Sequence, residues 1–364
     1  MKLENLNRDS QHLLIVATIL LCIGIVMIYS ASSCYAYEQY NDSAYYLKRH
    51  LIHFTVGLLL AGFFLKKDYK NLKKYAKAFL AISIIGLILA LLPGIGREAG
   101  GAKRWVKLGF IGFQPSEFAG FFLIVYIADI LDRKQPVIRS FIQGFMPSLM
   151  ILGFSVLLIL LQPDLGSSVC ILTVGLIMMF VSGVNMAYFL PFLIPIIPIF
   201  YFLIFKVAYR LRRITSYLDP WSDTQGAGFQ IIQSFLALGS GGILGLGLGC
   251  SKQKLFYLPQ AHTDFIFSII GEEAGLIGTL SVVALFVAFV WLGIQISIKA
   301  KDLFGRFLGL GITTSIGLKA VINIAVSTGA IPTKGLPLPF ISYGGTALIF
   351  NIIAVAMLIN ISNS

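Results

Sequence analysis

Apolar residues run through this chain in long windows separated by short polar stretches. No Asp, Glu, Lys or Arg occurs between Asp9 and Glu38, Lys77 and Arg97, Arg139 and Asp164, Asp164 and Lys206, or Glu273 and Lys299, and none follows Lys334. A helix needs about 20 mostly apolar residues to cross a bilayer, so most windows hold one span and the one after Asp164 holds two. Backbone groups in lipid must be satisfied within helices or closed barrels, and no barrel-like alternation is visible. The pattern predicts an all-α polytopic membrane protein. About ten transmembrane helices are expected, near 11–31, 50–65, 76–93, 114–131, 141–161, 167–183, 186–207, 265–297, 305–330 and 344–361.

Some of these spans are irregular. The fourth opens on Gln114, Pro115 and Glu117 and ends at Asp129. The seventh contains Pro191, Pro195 and Pro198 and should kink. The eighth is long for one helix, which tilt or extension beyond the bilayer would accommodate. The first is read as a retained span, because no small-residue cleavage site followed by a soluble body succeeds it.

Composition agrees: 57% of the 364 residues are hydrophobic and only 12% charged, about half the charge of a soluble domain. The formal charge of +12 sits in short loops, which favours a membrane surface or anionic lipid over nucleic acid. "KKDYKNLKK" at 66–74 is the densest basic loop; placing it in the cytoplasm puts both termini there as well. The other face is also basic, with Arg49, Arg104, Lys107, Lys252, Lys254 and Lys334 among others. An outer vestibule of that sign would attract a phosphorylated substrate. Cys22, Cys34, Cys170 and Cys250 have no C-x-x-C spacing, and no H-E-x-x-H occurs. Neither a disulfide framework nor a zinc site is suggested.

The longest stretch between spans, 208–264, is expected to be a large extracytoplasmic loop between the seventh and eighth spans. Residues 229–238 within it are apolar enough for an amphipathic or re-entrant helix. The glycine-dense "LGSGGILGLGLGC" that follows permits tight turns and close backbone approach, or a small-residue packing face.

Ionisable residues beside the spans are the candidates for chemistry. Asp264, in "YLPQAHTDFIFSIIGEEAG", falls at the outer end of the eighth span. Either it or Thr263 caps the helix start, or Asp264 is a general base beside a low-dielectric wall. His262 would hydrogen-bond a ligand or a loop carbonyl. Glu272 and Glu273 lie two turns further on, and one of them is a partner for Lys319, a lone cation in the ninth span. Arg49 opens the second span; "GGAKRWVKLGFIGFQPSEF" joins Arg104, Lys107 and Glu117; "LQPDLGSS" puts Asp164 at a turn. "PTKGLPLPFISYGGTA", with three prolines and Ser342, reads as rigid backbone broken from the last span.

Taken together, "GAKRWVKLG", "FQPSEF", "QPDLGSS", "GAGFQIIQS", "YLPQAHTDFIFSIIGEEAG" and "PTKGLPLPFISYGG", in this order, resemble the SEDS proteins, the polytopic glycosyltransferases of bacterial peptidoglycan synthesis. The likeness covers nearly the whole chain. "YLDPWSDTQGAGFQ", "IIGEEAG" and "PTKGLPLPF" resemble the cell-division branch, while Gln260 departs mildly from a more usual glutamate.

The resemblance implies an enzyme of the cytoplasmic (inner) membrane, at the septum, that polymerises lipid II into β-1,4 glycan with inversion. It implies Asp264 as the catalytic base. Arg49, Arg104 and Lys107, with Lys319 in support, would stabilise the departing pyrophosphate, and His262 would contact substrate. Glu117 would orient one of the basic residues and Asp164 would hold a loop, with Glu272, Glu273 and Ser342 supporting. No tightly bound cofactor is expected, although a divalent cation, Mg or Mn, would suit the leaving group. The implied partners are a class B penicillin-binding protein, the septal transpeptidase, and other divisome membrane proteins. Three other readings stay open at this point: an elongation-type polymerase, a lipid II flippase and a non-enzymatic division scaffold.

Overall fold

The computed structural model describes residues 7–191 apart from 94–95, 100–101 and 109–110. It also describes 215–364 apart from 225 and 256, together with positions 194, 198 and 211. The expected seventh span, 186–207, therefore lies largely outside the described residues.

Three helices open the chain: α1 (Arg8–Tyr40), α2 (Tyr45–Lys66) and α3 (Lys70–Leu91). At 1.5 Å per residue the 33 residues of α1 span about 50 Å, more than the hydrocarbon thickness. It ends where Asn41 turns left-handed (φ 53°) and returns its N–H to the Tyr37 carbonyl. After α4 (Pro115–Arg133), a π turn at 141–145 leads into α5 (Met146–Leu161). The chain continues through α6 (Leu165–Val181), α7 (Ala227–Gly241), α8 (Ile266–Lys299), α9 (Leu303–Ser327) and α10 (Gly345–Asn363). Between α3 and α4 lies a feature the hydropathy pattern does not predict, a small antiparallel sheet of β1 (Gly96–Ala99), β2 (Ala102–Leu108) and β3 (Ile111–Phe113).

The membrane part is all α. Among the described residues, seven helical segments are long and apolar enough to cross a bilayer: α1, α2, α3, the 141–161 segment, α8, α9 and α10. The difference from the expected ten has physical reasons. Helix α4 carries Glu117, Asp129, Asp132 and Arg133, α6 has only 17 residues, and the seventh window is not described.

One face of the bundle gathers both chain ends and the basic loops. Asn7 bonds Asn363, Lys299 pairs with Asp9, Lys73 with Asp132 and Lys70 with Asp302, while Asn360 donates to the Phe64 and Lys67 carbonyls. The far ends of α1 and α2 and the start of α8 form the opposite face.

Helix α8 departs from the expected single tilted helix. It breaks at Gly275 (φ 67°, ψ −162°) into a half-helix, 266–274, and a long span, 276–299. A break leaves carbonyls and N–H groups without helical partners, and in a membrane span each must find one. The glycine-rich segment after α7 supplies four such bonds. Leu246 and Gly247 donate to the carbonyls of Glu272 and Glu273, and the carbonyls of Gly242 and Ile243 accept from Leu276 and Ile277. A Cβ on Gly241 would lie 1.9 Å from the Gly271 oxygen, and one on Gly245 2.2 Å from the Glu273 oxygen. Backbone docking of this kind explains the run of glycines.

Candidate active site

Asp264 stands at the entrance to the half-helix, partly buried. The preceding turn is fixed by Gln260, in the left-handed region at φ 59°, whose carbonyl accepts the N–H groups of Thr263 and Asp264 at 3.1 Å each. The helix cap itself is Phe265, and the Thr263 hydroxyl points back to Gln260 at 2.9 and 3.2 Å.

Two other elements grip the same turn. Asn323 of α9 donates to the Asp264 carbonyl at 2.9 Å and to the Leu336 carbonyl at 2.8 Å. Ser342 donates to the Thr263 carbonyl at 2.6 Å and accepts the Leu338 N–H at 2.9 Å, while the Tyr343 N–H reaches the His262 carbonyl at 2.9 Å. The proline-rich segment before α10 is thus stitched to the aspartate loop. Asn323, not singled out in the sequence, is the joint between them.

The His262 ring is 9% exposed and packs against Tyr46, Tyr35 and Tyr343, with centroids 4.6, 5.8 and 6.0 Å away. Burial lowers its pKa from 6.5 to about 4, so the imidazole is neutral at physiological pH. Beside this aromatic patch, Arg49 is exposed and donates to the Tyr45 hydroxyl at 2.8 Å. Burial raises the Tyr343 phenol pKa, and the Arg49 charge opposes that shift. A cation, a neutral imidazole and phenol groups therefore share one face with Asp264.

Arg104 and Lys107 belong to β2, with Lys107 opposite Gly112 and Arg104 at the register shift between Arg97 and Glu98. Their side chains lie outside the described residues.

Glu272 and Glu273 are both 1% exposed, and neither is the partner of Lys319. Glu272 accepts the Ser251 hydroxyl and the N–H groups of Lys252 and Gln253 at 2.9 and 3.3 Å. Glu273 pairs with Lys254 at 2.9 Å. Lys319 pairs instead with Glu117 of α4 at 2.6 Å, their side chains 15% and 4% exposed. Ser116, Ser167, Cys170 and Ser315 line the same cavity of about 20 Å³, room for one water. Asp164 caps α6, accepting the Ser167 N–H at 3.1 Å and its hydroxyl at 2.9 Å.

Among the described residues no group of three or more His, Cys, Asp or Glu could hold a metal. The carboxylates that follow Asp264, Glu272 and Glu273, are occupied by Ser251, Lys254 and backbone donors.

Known proteins carry the same architecture. A family model described as "Cell cycle protein", covering FtsW, RodA and SpoVE, matches residues 10–364. The probable peptidoglycan glycosyltransferase FtsW of Geobacter sp. (strain M18) is 46% identical over 349 residues, covering 96% of this chain and 95% of the relative. Stage V sporulation protein E of Bacillus subtilis (strain 168) is 42% identical over 350 residues, with 96% of each chain covered. A chain from a structure of a peptidoglycan synthase complex that coordinates polymerisation and crosslinking superposes with a TM-score of 0.79 at 27% identity, covering 96% of each chain. The rod shape determining protein RodA of Thermus thermophilus shares the fold, with a TM-score of 0.71.

Proposed function

Since the chain belongs to the SEDS family of FtsW, RodA and SpoVE, we propose that it is a membrane-embedded peptidoglycan glycosyltransferase that polymerises lipid II in septal wall synthesis, with Asp264 as general base. The observation that carries the reading is the grip on Asp264. The backbone of the turn that carries this partly buried aspartate is held by α9, the proline-rich segment and Gln260, on the face away from the termini. Reactive geometry is worth fixing in this way, since small misplacement of a catalytic group lowers rate steeply.

The sugar hydroxyl that must attack is a weak nucleophile, and a positioned base accelerates such a step by about 10²–10⁴. Asp264 takes the proton from the 4-hydroxyl of the acceptor N-acetylglucosamine. The oxygen forms a bond to C1 of the donor N-acetylmuramic acid. The C1–O bond to the pyrophosphate breaks on the opposite side, undecaprenyl pyrophosphate leaves with the electron pair, and the anomeric centre inverts to the β-1,4 link. Negative charge grows on the leaving group, and fixed cations stabilise it. Arg49 lies on the same face, and Arg104 and Lys107 of β2 are the further cations assigned to this role. His262, neutral, offers hydrogen bonds and stacking rather than charge. Lys319, held by Glu117, gives the site an intramembrane polar wall.

The basic loops and both termini are cytoplasmic in this reading, and the Asp264 face is extracytoplasmic. A class B transpeptidase with one span would crosslink the product. The likeness to a subunit of a complex that couples polymerisation with crosslinking supports such a partner.

The test is glycan synthesis from purified lipid II in proteoliposomes, with and without the transpeptidase, comparing wild type with Asp264→Asn at matched folding. Polymer from wild type, reduced about 100-fold or more in the variant, is the expected result. Polymer from both overturns the base. No polymer from wild type with its partner present, but lipid II translocation, turns the reading to a flippase; neither activity turns it to a scaffold.

A further inference from the structure

Lys254 lies in the strap 251–265 that ends at the Asp264 turn, and it is buried. Its side chain is 6% exposed and that of Glu273, its partner, 0%. The ammonium donates to Glu273 Oε1 at 2.9 Å and to Ser30 Oγ at 3.1 Å. Ser30, on α1, is within hydrogen-bond distance of both Glu273 oxygens, at 2.6 and 2.8 Å. Three elements that are remote in sequence meet at one lysine: the strap, the half-helix of α8, and α1. In the loop pattern this lysine counts as vestibule charge. Its burial removes it from any encounter with a pyrophosphate.

A buried ion pair is a poor source of net stability, because desolvation offsets most of the attraction. What it supplies is direction. The half-helix 266–274 is a rod with Asp264 before its first residue and the two carboxylates at its far end, about 13 Å along the axis at 1.5 Å per residue. Glu272 fixes the start of the strap through Ser251, Lys252 and Gln253. Lys254 then ties strap and rod to α1, whose outer end carries Tyr35 of the aromatic patch around His262.

We infer that Lys254 is a positioning residue, tethering the strap and half-helix to α1 through Glu273 and Ser30 so that Asp264 is held in register with the Arg49 face. The inference rests on the proposed role of Asp264. Removing the tether leaves the base and the cations in place and loosens their alignment.

The experiment uses the full chain with its transpeptidase partner in proteoliposomes, and three variants: Lys254→Met, the double Lys254→Met/Glu273→Gln, and Asp264→Asn. Lipid II polymerisation gives kcat and KM, and amide hydrogen exchange is followed over 251–265. In Lys254→Met, kcat falls on the order of 10- to 100-fold, as loss of alignment predicts, while KM stays within about threefold. Exchange over 251–265 rises about tenfold or more while α9 and α10 keep their protection. The double variant carries no unpaired buried charge. If Lys254 serves only to neutralise Glu273, the double variant recovers wild-type kcat and exchange, and the inference is overturned. If it is a tether, the double variant folds and stays slow. Wild-type exchange over 251–265 in Lys254→Met overturns the tether whatever the activity. Full polymerisation by Asp264→Asn overturns the base instead, and the exchange result then still decides whether the tether exists.

Discussion

The side-chain amide of Asn323 holds the backbone of Asp264, at 2.9 Å from its carbonyl, and spends its second hydrogen on Leu336 at 2.8 Å. One residue of α9 thus sets the spacing between the aspartate turn and the proline-rich segment. The backbone of Asp264 is thereby fixed at its carbonyl.

Asn323→Leu removes both donors from a buried site and leaves two carbonyls unsatisfied, a cost of about 1–3 kcal/mol for each. The expected outcome is a lower unfolding temperature and a kcat for lipid II polymerisation reduced by about tenfold or more, measured on protein in detergent and in proteoliposomes. Wild-type kcat in a folded variant would remove Asn323 from the positioning of Asp264.

His262 gives the site a pH signature. Its pKa is about 4 in the folded protein, against 6.5 ordinarily, because burial among the rings of Tyr35, Tyr46 and Tyr343 disfavours the charged imidazole. The unfolded chain therefore binds more protons between these values, and stability falls as pH drops through that window. From pH 7.5 to 5 the loss attributable to this one group is about 2 kcal/mol. Thermal unfolding of wild type and His262→Gln at both pH values checks it: the gap between them should be larger for wild type. An equal gap would show that His262 does not titrate there.

Much of this architecture is legible in the sequence because unpaired charge is expensive in lipid, so the windows after Asp9, Lys77, Arg139 and Glu273 mark helices. "LQPDLGSS" marks a turn at Asp164, but that Asp164 caps α6 is seen only in the structure. What stays hidden are relationships between windows. Nothing local tells Lys319 that its partner is Glu117, 202 residues away, rather than Glu272 or Glu273 one span earlier. Lys254, in "SKQK", reads as exposed charge, and only the folded strap buries it. Asn323 resembles any polar residue tolerated on an apolar helix. The sheet at 96–113 is short, glycine-rich and charged, so hydropathy is silent about it. The glycine run signals close approach, but not that its target is a broken helix.

The Lys319–Glu117 pair predicts an asymmetry between single and double variants. Lys319→Met leaves the Glu117 carboxylate buried without its cation, a loss of about 3–5 kcal/mol. Lys319→Met with Glu117→Gln removes both charges and should recover most of that stability. Unfolding temperatures in detergent of the two single variants and the double one measure the coupling. Additive losses would mean that the two residues do not act as a pair.

Gly275 is where α8 breaks, and its backbone conformation is close to glycine-only. A Cβ there would also lie 2.4 Å from the Gly245 nitrogen and 2.5 Å from the Ile243 oxygen. Gly275→Ala therefore has two escapes. The first is to keep the break at a strain of about 1–3 kcal/mol and push the glycine-rich segment away. The second is to heal the helix, which withdraws the carbonyls of Glu272 and Glu273 from Leu246 and Gly247 and strands those donors. Both separate α7 and its glycine loop from the half-helix that carries Asp264. The expected result is a lower unfolding temperature together with faster amide exchange at 242–250, and loss of polymerisation at temperatures where the bundle remains folded. Unchanged exchange at Leu246 and Gly247 would mean that the break does not depend on glycine.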